Sequence, residues 1–221
     1  MNVTETESSK SDSVRSRRLL KAGKIVCRRI EGLGRGFLKG EPKAREALAK
    51  LRRGIKADPG EIADIWGYTH VVGVPDNAPD TPTREEWAVY IAMTLYAVHQ
   101  QSRSVLMHRP GYGFGRAARE LVGGEEDSPA RCRFNALVTA SSIGELRSHL
   151  RSFIQLLRPK DIGFDYAAFA DDLVEFQYLG GDKKVRRRWS RDFYKFQESG
   201  GREAAFPDVR ASTSANPSNS E

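Results

Sequence analysis

The sequence has few of the cysteine and histidine residues that disulfide frameworks and metal sites require. It contains two cysteines, Cys27 and Cys132, which lie far apart and form no CxxC pair. Neither a disulfide framework nor a zinc knuckle is therefore indicated. The four histidines stand in no HExxH or other close metal-ligand spacing. We accordingly predict no metal site and no cofactor.

Long hydrophobic runs are also missing. The longest apolar stretches, such as WAVYIAMTLYAV, are too short to span a bilayer. The first fourteen residues are polar and do not resemble a signal peptide. We therefore predict a cytoplasmic protein with no membrane partner.

Acidic residues are scarce relative to basic ones. The chain has 36 Lys and Arg against 29 Asp and Glu, a formal net charge of +7. Between Val14 and Lys56 only Glu31, Glu41 and Glu46 oppose a long series of cations. A surface selected for solubility usually intersperses both signs, so this imbalance favours a polyanionic partner such as nucleic acid.

Strand-like alternation is nearly absent. Apolar residues recur every three or four positions, and only HVVGVP, near Val72, resembles a strand. We predict an all-α fold of about nine helices. Their expected limits are 14–38, 42–55, 59–68, 83–102, 113–122, 128–140, 143–158, 165–178 and 183–197.

The composition of the chain indicates how these helices are organised. Taken together, the two ends are rich in Ser, Thr, Asn, Glu, Gly and Pro and have few large apolar residues, which is typical of disordered tails. A break at HRPGYGFG suggests a boundary between two packed helical bundles. We predict a disordered tail over 1–13, an N-terminal helical bundle over 14–110, a C-terminal helical bundle over 111–198 and a second disordered tail over 199–221.

The segment DKKVRRRWSRDFYKF places six cations between positions 183 and 191 and threads Trp189 and Phe193 among them. At about 100° per residue, Val185, Trp189, Phe193 and Phe196 fall within one quadrant and most of the cations lie on the opposite half. We predict that the apolar residues fix a helix to the core. The cations would then form a rigid basic stripe.

Other predicted helices separate charge in the same way. Arg147 and Arg151 align outside a buried apolar face, and further cations cluster in KLRRGIK and ARCRF. A single charged helix face is usually only solvated. The repeated pattern, together with the shortage of acids, favours phosphate binding.

Features that could belong to an enzyme are weak. Asp171 and Asp172 suggest a nuclease carboxylate pair, but neighbouring helix positions point about 100° apart and cannot form one compact site alone. Gly111, Gly113 and Gly115 follow no strand and match no nucleotide-binding spacing. We interpret Gly115 as part of a helix start whose free amides could meet a phosphate. We predict no catalytic activity.

Five segments follow one another along the chain: ALAKLRRG, RCRFNALVTA, LRSHLRSFIQLLR, DYAAFADDLVEFQ and KVRRRWSRDFY. In this order they resemble CasB, the small subunit of the type I-E CRISPR Cascade complex. Each is an amphipathic helix bearing arginines or acids, and it is the ordered set, closing on RRRWSRDFY, that carries the resemblance. The matching segments extend over nearly the whole predicted folded region.

The resemblance implies a non-catalytic, all-helical protein of two bundles. It implies pairing as a dimer between the large subunit and the backbone subunits of Cascade, and contact with crRNA and target DNA that stabilises the R-loop. Carried over by position, the implied nucleic-acid contacts are Arg52, Arg53, Arg131, Arg133, Arg147, Arg151, Arg187, Arg188 and Arg191.

Two other classes of protein remain possible on sequence alone. A free-standing helical DNA-binding regulator would also be basic and all-helical, although it should show a short helix-turn-helix. An enzyme would need a cluster of acids or histidines, which sequence spacing does not exclude when the residues meet only in three dimensions.

Overall fold

The structure, a computed structural model, describes residues 17–73, 80–123 and 127–198, with side chains as far as residue 195. Both predicted disordered tails lie outside the described residues. Within the described ranges the chain forms nine α-helices and no strand, which confirms the all-α prediction. They are α1 (Lys21–Leu38), α2 (Pro42–Arg53), α3 (Trp66–Thr69), α4 (Arg84–His99), α5 (Phe114–Val122), α6 (Pro129–Thr139), α7 (Ile143–Leu157), α8 (Tyr166–Phe176) and α9 (Gly181–Glu198).

Three helices begin at Thr or Ser residues whose side chains cap them. Thr83 and Glu86 form a capping box: the Thr83 amide donates to Glu86 Oε2 at 2.8 Å and the Glu86 amide donates to Thr83 Oγ1 at 3.3 Å. Ser128 and Ser142 cap α6 and α7 through their hydroxyl oxygens. These bonds satisfy amides that have no partner within the helix.

Two predicted helices have the wrong limits. Helix α1 begins at Lys21 and not at residue 14, because Leu20 is extended and its amide donates to Asp171 at 2.7 Å. The predicted helix over 59–68 is a 3₁₀ turn, Ala63–Ile65, followed by the single turn of α3. Gly60, with φ of 94°, adopts a left-handed conformation that does not continue a helix.

The core is built around α4 and α8. Every residue from Ala88 to Ala97 is buried, since α4 packs against α1, α2, α7 and α8. Helix α8 in turn packs against α1 and α9. Phe114, Phe164 and Phe169 contact one another with ring centroids 5.1–5.3 Å apart. This aromatic group connects α5 to α8.

Buried side chains from both predicted bundles form one contiguous hydrophobic cluster. Helix α4 of the first bundle contacts α7 and α8 of the second. The boundary at residues 110 and 111 therefore stays a prediction from sequence. In the part of the chain that the structure describes, no helix combines the length and the hydropathy needed to cross a bilayer.

Candidate nucleic-acid interface

Helix α9 points Lys184, Arg187 and Arg191 outward because its opposite face is deeply buried. Val185, Trp189 and Phe193 are at most 2% exposed. The Trp189 ring lies 4.8 Å from that of Phe114, and Phe193 stacks on an aromatic ring of α6 at the same distance. The predicted anchoring is confirmed for these three residues. The side chain of Phe196 lies outside the described residues.

We call Lys184, Arg187 and Arg191 the α9 stripe. All three side chains are exposed, and none makes an ion pair or hydrogen bond with another described residue. With Arg188, Asp192 and Lys195 they line an open groove of about 420 Å³. The groove presents several cations and a single carboxylate to solvent, which suits an anionic ligand.

Arg188, also predicted as a nucleic-acid contact, is engaged within the protein. It pairs with Asp172, and its Nη2 lies 2.5 Å from Glu175 Oε2. Burial alone would lower its pKa, but the two carboxylates raise it. Arg188 thus ties α9 to α8 and has little capacity left for a phosphate.

Arg147 is likewise committed to the fold. Its side chain is 13% exposed, and its guanidinium donates to Asp58 Oδ1 and to the Ile55 carbonyl, both at 2.9 Å. A third bond goes to the carbonyl of Ala57. These contacts fasten the segment after α2 onto α7, so the structure gives Arg147 a tertiary role.

Changing Arg147 to alanine is expected to lower the free energy of unfolding by about 1–3 kcal/mol, because Asp58 and two carbonyls lose a charged donor. Arg151→Ala, one turn further along α7, is the matched control and should change it by about 0.5 kcal/mol or less. Urea denaturation measures both. Equal midpoints for the two variants would contradict the structural role.

The other predicted contacts are distributed over α2, α6 and α7. Arg53 is exposed and lies 3.8 Å from Asp64, and burial lowers the pKa of Arg52. Arg133 is exposed and Arg151 half-buried, and neither pairs with a described acid. These residues stay predicted contacts, and among the described residues no hydrogen bond or ion pair joins them to the α9 stripe.

Arg131 is the predicted contact that the structure does bring to α9. Its guanidinium carbon lies 4.8 Å from the Phe193 ring centroid and 5.4 Å from that of Tyr194. It also donates a hydrogen bond to the Tyr194 hydroxyl. Arg131 therefore extends the basic surface from α9 onto α6.

Three cations on and before α5 were not among the contacts predicted from the sequence. The guanidinium groups of Arg109 and Arg116 lie 3.8 and 4.5 Å from the Tyr112 ring centroid, and that of Arg119 lies 5.6 Å from Phe193. Because α5 packs on α9, Arg116 and Arg119 adjoin the same region. The sequence feature that could have indicated them is the RPGYGFGRAAR segment, in which arginines flank an aromatic residue.

The start of α5 is not free for a phosphate, contrary to the interpretation from sequence. The Asp192 carboxylate accepts a hydrogen bond from the Arg116 amide. A side chain at Gly115 would collide with the carbonyl of Trp189, so glycine permits this close packing. Burial raises the pKa of Asp192. A carboxylate of the chain itself thus occupies the helix start.

The paired acids of α8 serve the fold. Asp171 accepts hydrogen bonds from the amides of Leu20 and Gly23, both at 2.7 Å, and so caps α1. Asp172 pairs with Arg188 and accepts from Trp189 Nε1 at 2.8 Å. Among the side chains that the structure describes, no group of three or more His, Cys, Asp or Glu could hold a metal ion.

The chain matches a known protein family over much of its length. The family model for CRISPR-associated protein Cse2 matches residues 47–194, more than half of the chain. The chain belongs to the Cse2 family. The resemblance to CasB seen in the sequence is therefore confirmed. The Cse2 match begins within α2 and ends at Tyr194, so it includes the α9 stripe. No match was found among curated protein sequences.

Solved structures of the Cse2 family share the fold. The crystal structure of CasB from Thermobifida fusca is 34% identical, with a TM-score of 0.66 over 80% of this chain and 99% of that chain. A Cse2-family protein from Thermus thermophilus is 25% identical, with a TM-score of 0.58 over 80% and 99%. A chain of a CRISPR RNA-guided surveillance complex, 19% identical with a TM-score of 0.59 over 80% and 96%, shows likeness of fold alone.

Proposed function

We propose that this chain is a non-catalytic small subunit of a type I-E Cascade complex in the cytoplasm. In that complex it would bind the nucleic-acid backbone without sequence preference and stabilise the R-loop. The α9 stripe carries the proposal. It offers three exposed cations that no described acid neutralises, on a helix anchored by buried aromatic residues. Membership of the Cse2 family supports the assembly.

The physical requirement for this task is modest. Guide pairing supplies sequence specificity, and the exchange of one duplex for another is nearly balanced, so small contacts to the backbone can favour the open state. From Lys184 to Arg191 the helix rises about 10 Å, which corresponds to about three nucleotides along a strand. A fixed row of cations of this length is sufficient.

The partners in this proposal are crRNA and target DNA, the large and backbone subunits of Cascade, and a second copy of the chain. The likeness to a chain of a surveillance complex supports such an assembly. Purification of the tagged chain from its native host tests it. We expect a multi-subunit particle that contains RNA, and recovery of the chain alone without RNA would contradict the proposal.

The isolated protein is expected to bind single-stranded and double-stranded DNA weakly, with dissociation constants of about micromolar or weaker at physiological salt. Affinity should fall steeply as salt rises, because each phosphate contact releases counterions. Fluorescence anisotropy over a salt series measures this. A large preference for one DNA sequence, or binding that is insensitive to salt, would contradict this prediction. Cleavage of DNA that is lost on Asp172→Ala would contradict the proposal that the chain is non-catalytic.

A further inference from the structure

The row of cations on α9 ends in an exposed aromatic ring. Tyr194 lies one turn after Arg191 and two turns after Arg187 on the same helix. Residues three or four apart are neighbours on a helix surface, so the phenol ring adjoins the α9 stripe. The rise between Arg191 and Tyr194 is about 4.5 Å, close enough for one nucleotide to contact both side chains.

The orientation of the Tyr194 ring is fixed by its neighbours. It meets the buried Phe193 ring at 72°, with centroids 5.2 Å apart. Its hydroxyl accepts a hydrogen bond from Arg131, whose guanidinium carbon lies 5.4 Å from the ring centroid. The residue is nevertheless 47% exposed. Because the ring is already ordered and still exposed, it can accept a ligand with little loss of side-chain conformational entropy.

Few aromatic side chains are exposed in the part of the chain that the structure describes. Among the side chains that the structure describes, Trp66, Tyr178 and Tyr194 are 47–50% exposed. Trp66 belongs to α3, and Tyr178 precedes α9 and lies under Arg84 at 4.4 Å. Tyr194 alone of these three continues the α9 stripe.

We propose that Tyr194 stacks on an unpaired base of a strand whose phosphates contact the α9 stripe, and that it gives this surface a preference for single-stranded nucleic acid. The inference rests on the proposed function and assigns its ligand more closely. A base in a duplex has both faces covered by its neighbours, so only an unstacked base offers a face to a tyrosine. Such stacking on an aromatic side chain tolerates any base and strengthens binding by about 5- to 150-fold per base.

The test compares an oligothymidine strand with a duplex of equal length, using fluorescence anisotropy and the full chain. Tyr194→Leu is expected to weaken single-strand binding by about 5-fold or more and duplex binding by about 2-fold or less, because it removes the stacking face. It also removes the hydroxyl that accepts from Arg131, a loss that Tyr194→Phe shares. Tyr194→Phe keeps the ring and should bind the single strand about as well as the parent. Tyr178→Leu is the matched control, a half-exposed tyrosine that also lies under an arginine.

The results separate this inference from the proposed function. If reversing the charge of Arg187 and Arg191 weakens both DNA forms while Tyr194→Leu changes them equally or not at all, stacking is wrong and backbone binding stands. If Tyr178→Leu weakens single-strand binding as much as Tyr194→Leu, stacking at Tyr194 is also wrong. If the parent protein binds neither form, the proposed function itself fails.

A measurement on the unmodified chain avoids any effect of a substitution on folding. A single strand that carries bromouracil is crosslinked to the protein by ultraviolet light, and the adduct is located by mass spectrometry. We expect the adduct on Tyr194. Crosslinks confined to peptides that lack this residue would overturn the inference.

Discussion

Changing Arg187 and Arg191 together to glutamate is expected to weaken DNA binding by at least about 30-fold at about 0.15 M salt. Loss of two phosphate contacts removes the release of about two counterions, and the new carboxylates repel the backbone. The free energy of unfolding should change by about 1 kcal/mol or less, because both side chains are exposed and pair with no described acid. Anisotropy and urea denaturation measure the two quantities.

A second double reversal provides the control for net charge. Lys24 and Arg28 are exposed on α1, four residues apart like Arg187 and Arg191, and lie before the family match. Lys24→Glu with Arg28→Glu alters the net charge by the same amount and should weaken binding far less. Equal losses from the two pairs would mean that overall charge, and not the α9 stripe, attracts DNA.

The same reversal has a consequence within a reconstituted Cascade. Opened target DNA should dissociate faster, because fewer backbone contacts oppose closure of the duplex. The rate of target dissociation and the footprint of the R-loop measure this against the unmodified complex. If the variant complex opened and retained target DNA as well as the unmodified complex, and the variant chain had the parental melting temperature, the α9 stripe would be only a solvated surface with no role in binding.

Periodicity predicted the parts of the site that depend on one helix alone. In α9, Val185, Trp189 and Phe193 repeat every four residues, so their shared burial and the outward position of Arg187 follow from 3.6 residues per turn. Capping at Thr83 and Ser142 likewise depends on residues within one turn of each helix start. Features of this kind can be predicted without knowing which other helices pack against the one that carries them.

Contacts between distant segments could not be predicted in this way. Arg188 and Arg187 are adjacent in sequence and equally basic, yet only Arg188 meets Asp172 and Glu175, because those acids face α9 from α8. Arg147 similarly meets Asp58, which lies 89 positions earlier in the chain. Their pairing depends on how the helices pack, which hydrophobic spacing does not specify.

Trp189→Ala is expected to lower the free energy of unfolding by about 3–5 kcal/mol, the largest effect that we predict on stability. Trp189 is 2% exposed and stacks on Phe169 with ring centroids 5.9 Å apart. The change leaves a cavity where the indole ring packs, and it removes the indole N–H that donates to Asp172. Urea denaturation with linear extrapolation measures the loss.

Two further substitutions are the controls for Trp189→Ala. Trp66→Ala makes the same chemical change at a side chain that is 49% exposed, and it should cost about 1 kcal/mol or less. Trp189→Phe keeps an aromatic ring but not the donor to Asp172, so its cost should fall between those of the two alanine variants. If Trp189→Ala were no more harmful than Trp66→Ala, α9 would not depend on this anchor. The rigid support that sets the cations of the α9 stripe in a row would then come from Val185 and Phe193, which are also fully buried.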